Sequence, residues 1–353
     1  MYNVFVDFHH ASLLNSFIML FENRLGGNVY RPIGMEWAEQ GFWAIYDHPA
    51  TQAQFLSMAQ GYRPIDGSPP LNVVGEVQND VYYCQDVDSG KYNKAITLET
   101  FLKLDIDIVI ATIPQHIEPF VRLAALHPNK PKVIYQIGNN WNLPANTPIK
   151  NVMASARLPY KPDGFNIVEY HQEFDTSVFS PGGVENIPNN IYSFVNCFNT
   201  DGLFTADWQL FEKIERLMPD WSFKCYGGQC RDGAAHGTQQ LADKMREAKF
   251  IWHTKFAGDG YGHVLHNAAA VGRPLIARKA YYYDKMGGDL MIDGETAILI
   301  DGLNPEQIVE KIKYYSDWFR YGVLCGNMRE KFKSVVNFDG EFEHIKHFLS
   351  KLL

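Results

Sequence analysis

The stretch GDGYGHVLHNAAAVGRPLIA, which runs from Gly258 to Ala277, carries the strongest structural signal in this sequence. It follows an apolar strand pattern, FIWHT, and opens with glycines on both sides of an aromatic residue. An Ala-rich helical pattern comes next, and a Gly-Arg-Pro step leads into a second β-like segment. A glycine turn between a strand's carboxyl end and a helix's amino end presents backbone N–H groups and the positive end of the helix dipole. The stretch therefore predicts a strand–turn–helix unit that can bind a phosphate.

Two polar side chains flank the helix start in this stretch. Asp259 precedes the turn, and Asn267 comes about two helical turns into the helix. This spacing allows both side chains to face one bound ligand. It also fits an ordinary strand–loop–helix connection in which the glycines serve only the turn, so the residues alone leave both interpretations open.

Strand and helix patterns alternate through most of the chain, apart from a less regular region between Gly34 and about Tyr92. Before residue 169 the patterns are YNVFVDF, SLLNSFIMLFENRLGG, NVYRPI, TLETFLKL (capped by Thr97), DIDIVIATI, QHIEPFVRLAALHP, KPKVIYQIG and KNVMASARLP. Gly, Pro and Asn interrupt the regularity between residues 169 and 190. The patterns resume with IYSFVNCF, ADWQLFEKIERLM, SFKCYGG and GTQQLADKMREA, and end with AILID, PEQIVEKIKYYSDWF and EFEHIKHFLSKLL. Alternation of this kind predicts two doubly wound α/β halves joined by a polar hinge.

Composition limits the classes of partner. Of 353 residues, 46% are hydrophobic and 20% are charged, which suits two well-packed domains. The net charge of -8 gives no support to nucleic acid or anionic lipid as a partner. The sequence has no signal-peptide pattern and no apolar run long enough to span a bilayer, so a soluble, cytoplasmic protein is expected. The five cysteines are scattered, and the pair in CYGGQC has no second pair to complete a metal site, which predicts free thiols.

The opening stretch resembles the signature of the GT-B family of retaining nucleotide-sugar glycosyltransferases. That signature has Glu-Gly-Phe-Gly, a helix carrying a second Glu, and then Ala-x-Gly-x-Pro followed by hydrophobic residues and Ala. Aligned without gaps, the two glutamates fall on Asp259 and Asn267 and the aromatic falls on Tyr261. The segments MIDGETAILIDGLNPEQIVEKI and HQEFDTSVFSP also resemble family segments, so the likeness covers most of the C-terminal half. The N-terminal half matches only in its β/α rhythm.

The resemblance implies a GT-B fold, in which two Rossmann-like doubly wound domains face a central cleft and the C-terminal helix crosses back to the N-terminal domain. The expected domains are an acceptor-side domain at 1–175, a nucleotide-sugar-binding domain at 176–335 and the returning helix at 336–353. The implied activity is metal-independent transfer of a sugar, with retention, from a nucleoside diphosphate sugar in which UDP is the expected nucleotide. The nucleotide sugar is a co-substrate, and no other cofactor is expected.

The resemblance also implies roles for residues of the stretch. In the family the first acidic residue, here Asp259, contacts the donor sugar, and the second, here Asn267, contacts the ribose. Backbone N–H groups, here near Gly262, His263 and Val264, hold the diphosphate, and Gly260 and Tyr261 are further donor-binding candidates. The family's Arg and Lys after the first C-domain strand are absent from SFVNCFNTDGLF. Lys255, Lys224 and Arg231 are candidate replacements, and Lys255 is favoured because it lies on the same loop.

Candidate residues in the N-terminal half follow predicted strands. Asp259 and His116 are the predicted catalytic residues. His116 ranks first in this half, because the resembled family places a His or an acid near this point in contact with the donor sugar; a structural histidine fits equally well. His9 and His10 end the first strand and are candidates for acceptor or phosphate contacts, or are plain loop residues. Asn139 and Trp141, after VIYQIG, suit hydroxyl bonding and sugar stacking.

Several alternatives remain beside a transferase. A GT-B-like nucleotide-sugar epimerase would use His9, His10 and His116 as acid–base groups, and a catalytically weakened sugar-nucleotide or glycan binder would explain the two altered glutamates. The acceptor is open between glycan, small molecule, protein and DNA, including modified bases of phage DNA. The Asp-x-Asp patterns DVD and DID are too short to indicate a metal, and DID begins a buried strand, so no metal is predicted. A nicotinamide dehydrogenase is disfavoured because no Gly-x-Gly-x-x-Gly follows the first strand.

Overall fold

The computed structural model describes residues 1–7, 11–34, 36–42, 73–85, 92–138, 143 and 147–352. These residues divide into two compact units, which are described separately. Unit 1 comprises Met1–Phe174 and Phe338–Leu353, and unit 2 comprises Asp175–Asn337. Each unit is built on its own, mainly parallel sheet with helices packed against it.

Unit 1 contains a sheet in the order β3-β4-β5-β2-β1-β6-β7-β8-β9. The strands are β1 (Asn3–Val6), β2 (Asn28–Pro32), β3 (Val73–Gln78), β4 (Val81–Gln85), β5 (Tyr92–Ile96), β6 (Ile108–Ala111), β7 (Lys132–Ile137), β8 (Asn151–Ala154) and β9 (Asn166–Glu169). The helices are α1 (Ala11–Phe17), which continues as a π-helical turn over Ile18–Arg24, α2 (Glu36–Glu39), α3 (Leu98–Lys103), α4 (Ile117–Leu126) and the C-terminal α10 (Phe338–Ser350). Pairing is parallel except at β3–β4 and β4–β5.

Unit 2 has a wholly parallel sheet in the order β11-β10-β12-β13-β14. Its strands are β10 (Asn190–Ser193), β11 (Ser222–Cys225), β12 (Phe250–His253), β13 (Leu275–Ala277) and β14 (Ala297–Leu299). Its helices are α5 (Thr205–Leu217), α6 (Gly237–Glu247), α7 (His263–Ala270), α8 (Pro305–Tyr315) and α9 (Trp318–Val335). Every residue of β10 and β12 is buried, as expected for central strands covered on both faces.

Both sheets reverse their strand order at one point, and that point locates the site in a doubly wound fold. In unit 1 the connections turn back beside β1, which lies between β2 and β6. In unit 2 they turn back beside β10, which lies between β11 and β12. Ligands of open α/β sheets bind beyond the carboxyl ends of the strands at such switch points. The relevant segments are therefore those that follow β1 and β6 in unit 1, and β10 and β12 in unit 2.

Local sequence signals explain several element boundaries. Thr97 caps α3 as predicted, since its side chain accepts a hydrogen bond from the Thr100 N–H at 3.2 Å. Asn304 and Gln307 form a reciprocal capping box at the start of α8.

Several elements differ from those that the sequence patterns predict. The pattern PEQIVEKIKYYSDWF predicts one helix through Phe319, whereas α8 ends at Tyr315 and the unpredicted α9 begins at Trp318, capped by Asp317. The region between Gly34 and Tyr92 is less regular in the sequence, and within it β3 and β4 form an antiparallel hairpin. Strand β9 has no counterpart among the predicted strands.

Candidate functional site

The stretch that begins at Gly258 forms the predicted strand–turn–helix unit at the switch point of unit 2. Strand β12 ends at His253, and helix α7 begins at His263. Gly262 caps α7 in the left-handed region, at φ 81° and ψ 63°, and Gly258 also has a positive φ of 68°. The first intrahelical donors are the N–H groups of Leu265 and His266, both directed to the Gly262 carbonyl. The amino end of α7 therefore lies at the sheet edge where a doubly wound fold binds its ligand.

Asp259 is the best-connected polar side chain of this turn. Its Oδ2 accepts a hydrogen bond from His253 Nε2 at 2.9 Å and lies 3.4 Å from the Tyr282 hydroxyl. Its Oδ1 forms an ion pair with the Lys255 ammonium. Burial alone raises the pKa of the Asp259 carboxyl, but the hydrogen bond and charge of His253 and the charge of Lys255 outweigh burial and hold the pKa well below its usual range.

The lowered pKa keeps the Asp259 carboxyl negatively charged at neutral pH. Because the pKa of Asp259 is lower in the folded chain, its contacts contribute stability fully above the unfolded value of about 3.9, and lose it as pH falls through the lower folded value. The carboxylate is thus a permanent acceptor for sugar hydroxyls at neutral pH. The carboxylate also forms an ion pair with Lys255. This pair compensates the Lys255 charge, which the sequence resemblance favoured as the partner of the diphosphate.

Gly258 supports this arrangement through its backbone. A Cβ atom there would lie 2.3 Å from the Tyr281 carbonyl oxygen, in a segment that leads directly to Tyr282. Gly258→Ala is expected to lower the free energy of unfolding by about 2–4 kcal/mol, because left-handed strain adds to a backbone clash. Gly302→Ala is the matched control, since Gly302 has a φ of 69° and open space around its Cβ position. Equal shifts of the thermal unfolding midpoint in the two variants would contradict this account.

Helix α7 is buried along most of its length. The Tyr261 ring stacks on His266, with centroids 4.2 Å apart and planes at 4°, and meets His263 edge-on. Asn267 is 6% exposed, and its Oδ1 accepts no hydrogen bond from any described residue. Buried polar atoms are almost always paired, so this oxygen suits a ligand hydroxyl.

A second polar cluster lies beside the first in unit 2. Arg278 follows β13 directly, and its Nε lies 3.5 Å from Oδ1 of Asp207 on α5. The Tyr281 hydroxyl lies 3.4 Å from the same carboxyl oxygen. The side chain of Asp207 is 4% exposed, and burial raises the pKa of its carboxyl although the charge of Arg278 opposes that rise.

In unit 1, His116 forms a buried pair with Asp7. His116 Nδ1 lies 2.5 Å from Asp7 Oδ2, both side chains are fully buried, and the Thr112 N–H donates to the same carboxylate at 2.9 Å. His116 Nε2 is buried and has no hydrogen-bond partner among the described residues. Asp7 follows β1 and His116 follows β6, so the pair lies at the switch point of unit 1.

The other predicted residues are less informative. His9, His10, Asn139 and Trp141 lie outside the described residues, as does the DVD pattern at 86–88. In the DID pattern, Asp105 is exposed and precedes β6 at its amino end.

The alternative cations Lys224 and Arg231 both pair with Asp232, at 3.3 and 3.1 Å. Across the described part of the chain, no cluster of three or more His, Cys, Asp or Glu side chains is arranged to hold a metal ion. Among the helices described, none combines the length and apolar character needed to cross a membrane.

Four polar side chains of these clusters are not predicted by the sequence patterns: His253, Asp7, Arg278 and Asp207. Three of them stand at or directly after the carboxyl end of a parallel strand, so that position was an available signal. Asp207 lies in the first turn of α5 and gave no such signal, because only the tertiary fold places Arg278 beside it.

The CYGGQC pair contains a partly buried free thiol, Cys230, whose pKa is lowered. The five cysteines are free, and Cys225 is buried at the end of β11. The Cys230 thiol donates to the Val195 carbonyl at 3.1 Å, and its interaction with the neighbouring Cys225 thiol lowers the pKa of Cys230 despite partial burial. Cys230 is therefore expected to be alkylated first by iodoacetamide at pH 7.5, with Cys325 as the buried control. Peptide mass spectrometry after brief labelling measures this, and equal labelling of both thiols would contradict it.

Comparisons with known proteins agree with this architecture. The crystal structure of HepE from Anabaena in complex with UDP and glucose matches with a TM-score of 0.63 at 12% identity, covering 100% of both chains. TarM matches with a TM-score of 0.60 at 12% identity over 99% of this chain and 98% of that one. A glycosyltransferase from Rickettsia africae matches with a TM-score of 0.57 at 12% identity, covering 98% and 97%.

These likenesses establish the fold, which is GT-B, as the sequence resemblance predicted. No protein-family model matches the chain, and no curated protein sequence matches it either.

Proposed function

We propose that this chain is a glycosyltransferase that moves a sugar from a nucleoside diphosphate sugar to an acceptor, with UDP as the expected nucleotide. The observation that carries the proposal is the glycine turn at the unit 2 switch point, where Asp259 lies beside the amino end of α7. The turn supplies N–H groups for a diphosphate, the Asp259 carboxylate accepts from sugar hydroxyls, and the unpartnered Asn267 oxygen suits a ribose hydroxyl. The solved HepE structures hold UDP with glucose, or UDP-glucose, which favours this class of donor.

The expected reaction is metal-independent transfer with retention of configuration. The bond between the anomeric carbon and the diphosphate oxygen breaks, and its electron pair leaves with the diphosphate. The acceptor oxygen bonds to the same carbon from the same face, and its proton passes to the departing diphosphate oxygen. Catalysis of this kind depends on positioning and on electrostatic stabilisation of the leaving group.

A donor screen tests the proposal. Nucleoside diphosphates and their sugars are expected to raise the thermal unfolding midpoint, since a ligand present at about 100 times its Kd stabilises by about 2.7 kcal/mol. The best donor is then offered with acceptor mixtures, with and without EDTA, and ¹H NMR of the first product gives the anomeric configuration. Binding of no nucleoside diphosphate would overturn the function, an inverted product would overturn retention, and loss of activity in EDTA would overturn metal independence.

The Asp7–His116 pair favours one second candidate, a nucleotide-sugar epimerase. A histidine oriented by a buried carboxylate, with its other ring nitrogen unpartnered among the described residues, is suited to proton transfer. Incubation with nucleotide sugar alone separates the two functions, because epimerisation without an acceptor favours the epimerase.

A further inference from the structure

The diphosphate of the proposed donor needs a positive charge, and the cations predicted from the sequence are occupied. Lys255 pairs with Asp259, and Lys224 and Arg231 both pair with Asp232. A leaving diphosphate gains negative charge as its bond to the sugar breaks, so its site needs a cation with hydrogen-bond donors to spare. Within the described part of unit 2, this cation has to be sought elsewhere on the carboxyl edge of the sheet.

Arg278 meets this need. It is the first residue after β13, the strand next to β12, and therefore lies at the same carboxyl edge as the glycine turn. Its contact with Asp207 is 3.5 Å long, beyond a good hydrogen bond, and its Nε is buried without a hydrogen-bond partner among the described residues. A guanidinium carries five N–H donors, so the pair with Asp207 leaves most of them available.

Asp207 holds the Arg278 side chain in place. The Asp207 carboxyl is 4% exposed and the Arg278 side chain 25% exposed, so the pair is anchored inside and reaches solvent at one end. The Arg278 guanidinium carbon also lies 5.9 Å from the centre of the Tyr281 ring. The ion pair and the ring contact restrict the Arg278 side chain, which lowers the cost of ordering it when an anion binds.

The cluster of Arg278, Asp207 and Tyr281 lies next to the glycine turn that carries Asp259. Two pairs of consecutive residues connect them. Tyr281 contacts Asp207, while the next residue, Tyr282, has its hydroxyl 3.4 Å from Asp259. The Phe256 ring meets the Tyr281 ring edge-on at 5.7 Å, and Phe256 follows Lys255.

We propose that Arg278, positioned by Asp207, binds the leaving diphosphate of the donor. This inference rests on the proposed function, since it requires a nucleoside diphosphate in unit 2. As the bond between the anomeric carbon and the diphosphate oxygen breaks, the electron pair stays on that oxygen and the Arg278 N–H groups donate hydrogen bonds to the diphosphate. Arg278 thereby takes the place of the Arg and Lys that are missing after β10.

Isothermal titration calorimetry with the full chain tests the proposal. The probes are the tightest-binding member of UDP, ADP, GDP and TDP, and the nucleoside that it contains. Arg278→Gln is expected to weaken the diphosphate roughly 10- to 100-fold and to leave the nucleoside affinity unchanged. Arg278→Lys should give an intermediate loss. Arg246→Gln is the control, because Arg246 pairs with Asp243 near the start of β12, at the opposite sheet edge, and should leave the affinity ratio unchanged.

A second variant tests whether the ion pair between Asp207 and Arg278 positions Arg278 for diphosphate binding or has only a structural role. Asp207→Asn keeps the charge of Arg278 but loosens its position, so the diphosphate-to-nucleoside affinity ratio should fall several-fold. If wild-type protein binds the diphosphate and the ratio is unchanged in the folded Arg278 and Asp207 variants, the Arg278 assignment is overturned and the proposed function stands. If wild-type protein binds no nucleoside diphosphate, both fall. If Arg278→Gln fails to fold, an unchanged ratio in Arg278→Lys and Asp207→Asn overturns the assignment.

Discussion

Asp259→Asn is expected to reduce sugar transfer by at least roughly 100-fold while the chain remains folded. The amide keeps the shape of the side chain but removes the charge that His253 and Lys255 bind, so it loses the acceptor for sugar hydroxyls and releases Lys255. Steady-state kinetics with the best donor measures the effect, and the thermal unfolding midpoint reports on folding. Asp259→Glu, which restores the residue type of the resembled family, should retain more activity than Asp259→Asn.

The matched control for Asp259 is Asp243→Asn. Asp243 is an exposed carboxylate of the same unit that also pairs with a cation, Arg246, and it lies on α6 away from the turn. Its replacement should leave the turnover number within about twofold of the wild-type value. Wild-type turnover by a folded Asp259→Asn variant would remove Asp259 from the site.

Asp7→Ala is expected to be the most destabilising of the substitutions considered, lowering the free energy of unfolding by about 3–5 kcal/mol. The side chains of Asp7 and His116 are both fully buried, and the carboxylate also accepts from the Thr112 N–H. Its removal leaves a buried imidazole and a backbone donor without their partner. Urea denaturation followed by tryptophan fluorescence measures the loss.

The control for Asp7 is Glu99→Ala, which removes an exposed carboxylate of unit 1 that pairs with Lys103. Surface pairs contribute little, so the unfolding midpoint should hardly move. If both alanine variants unfold at the same urea concentration, the buried pair does not stabilise unit 1 as argued.

The helix boundaries that sequence analysis missed had local signals. Asp317 caps α9 by accepting from the Arg320 N–H, and a polar Ser-Asp step separates α8 from α9. The apolar spacing continues through that step, so periodicity alone merged the two helices. The hairpin between β3 and β4 turns at Asn79 and Asp80, with φ values of 50° and 63°. Both residue types favour the left-handed backbone conformation that such a two-residue turn requires.

The candidate site was predictable only in part. The glycine turn, Asp259 and Asn267 follow from the strand–turn–helix pattern and the family resemblance. The partners of Asp259 do not, because the loop that folds back from β12 decides which of its neighbours reach the carboxylate. Asp7 and His116 are joined across two strands far apart in the sequence, and only strand order brings them together. Arg278 and Asp207 are also far apart in the sequence. The fold of unit 2, in which β13 pairs with β12, brings them together.

A crystal structure of the protein with its tightest-binding nucleoside diphosphate is the most direct test of the donor site. We expect the diphosphate at the turn between Gly258 and Val264, with Arg278 in contact and the ribose near Asn267. A nucleotide bound away from this turn would contradict this expectation.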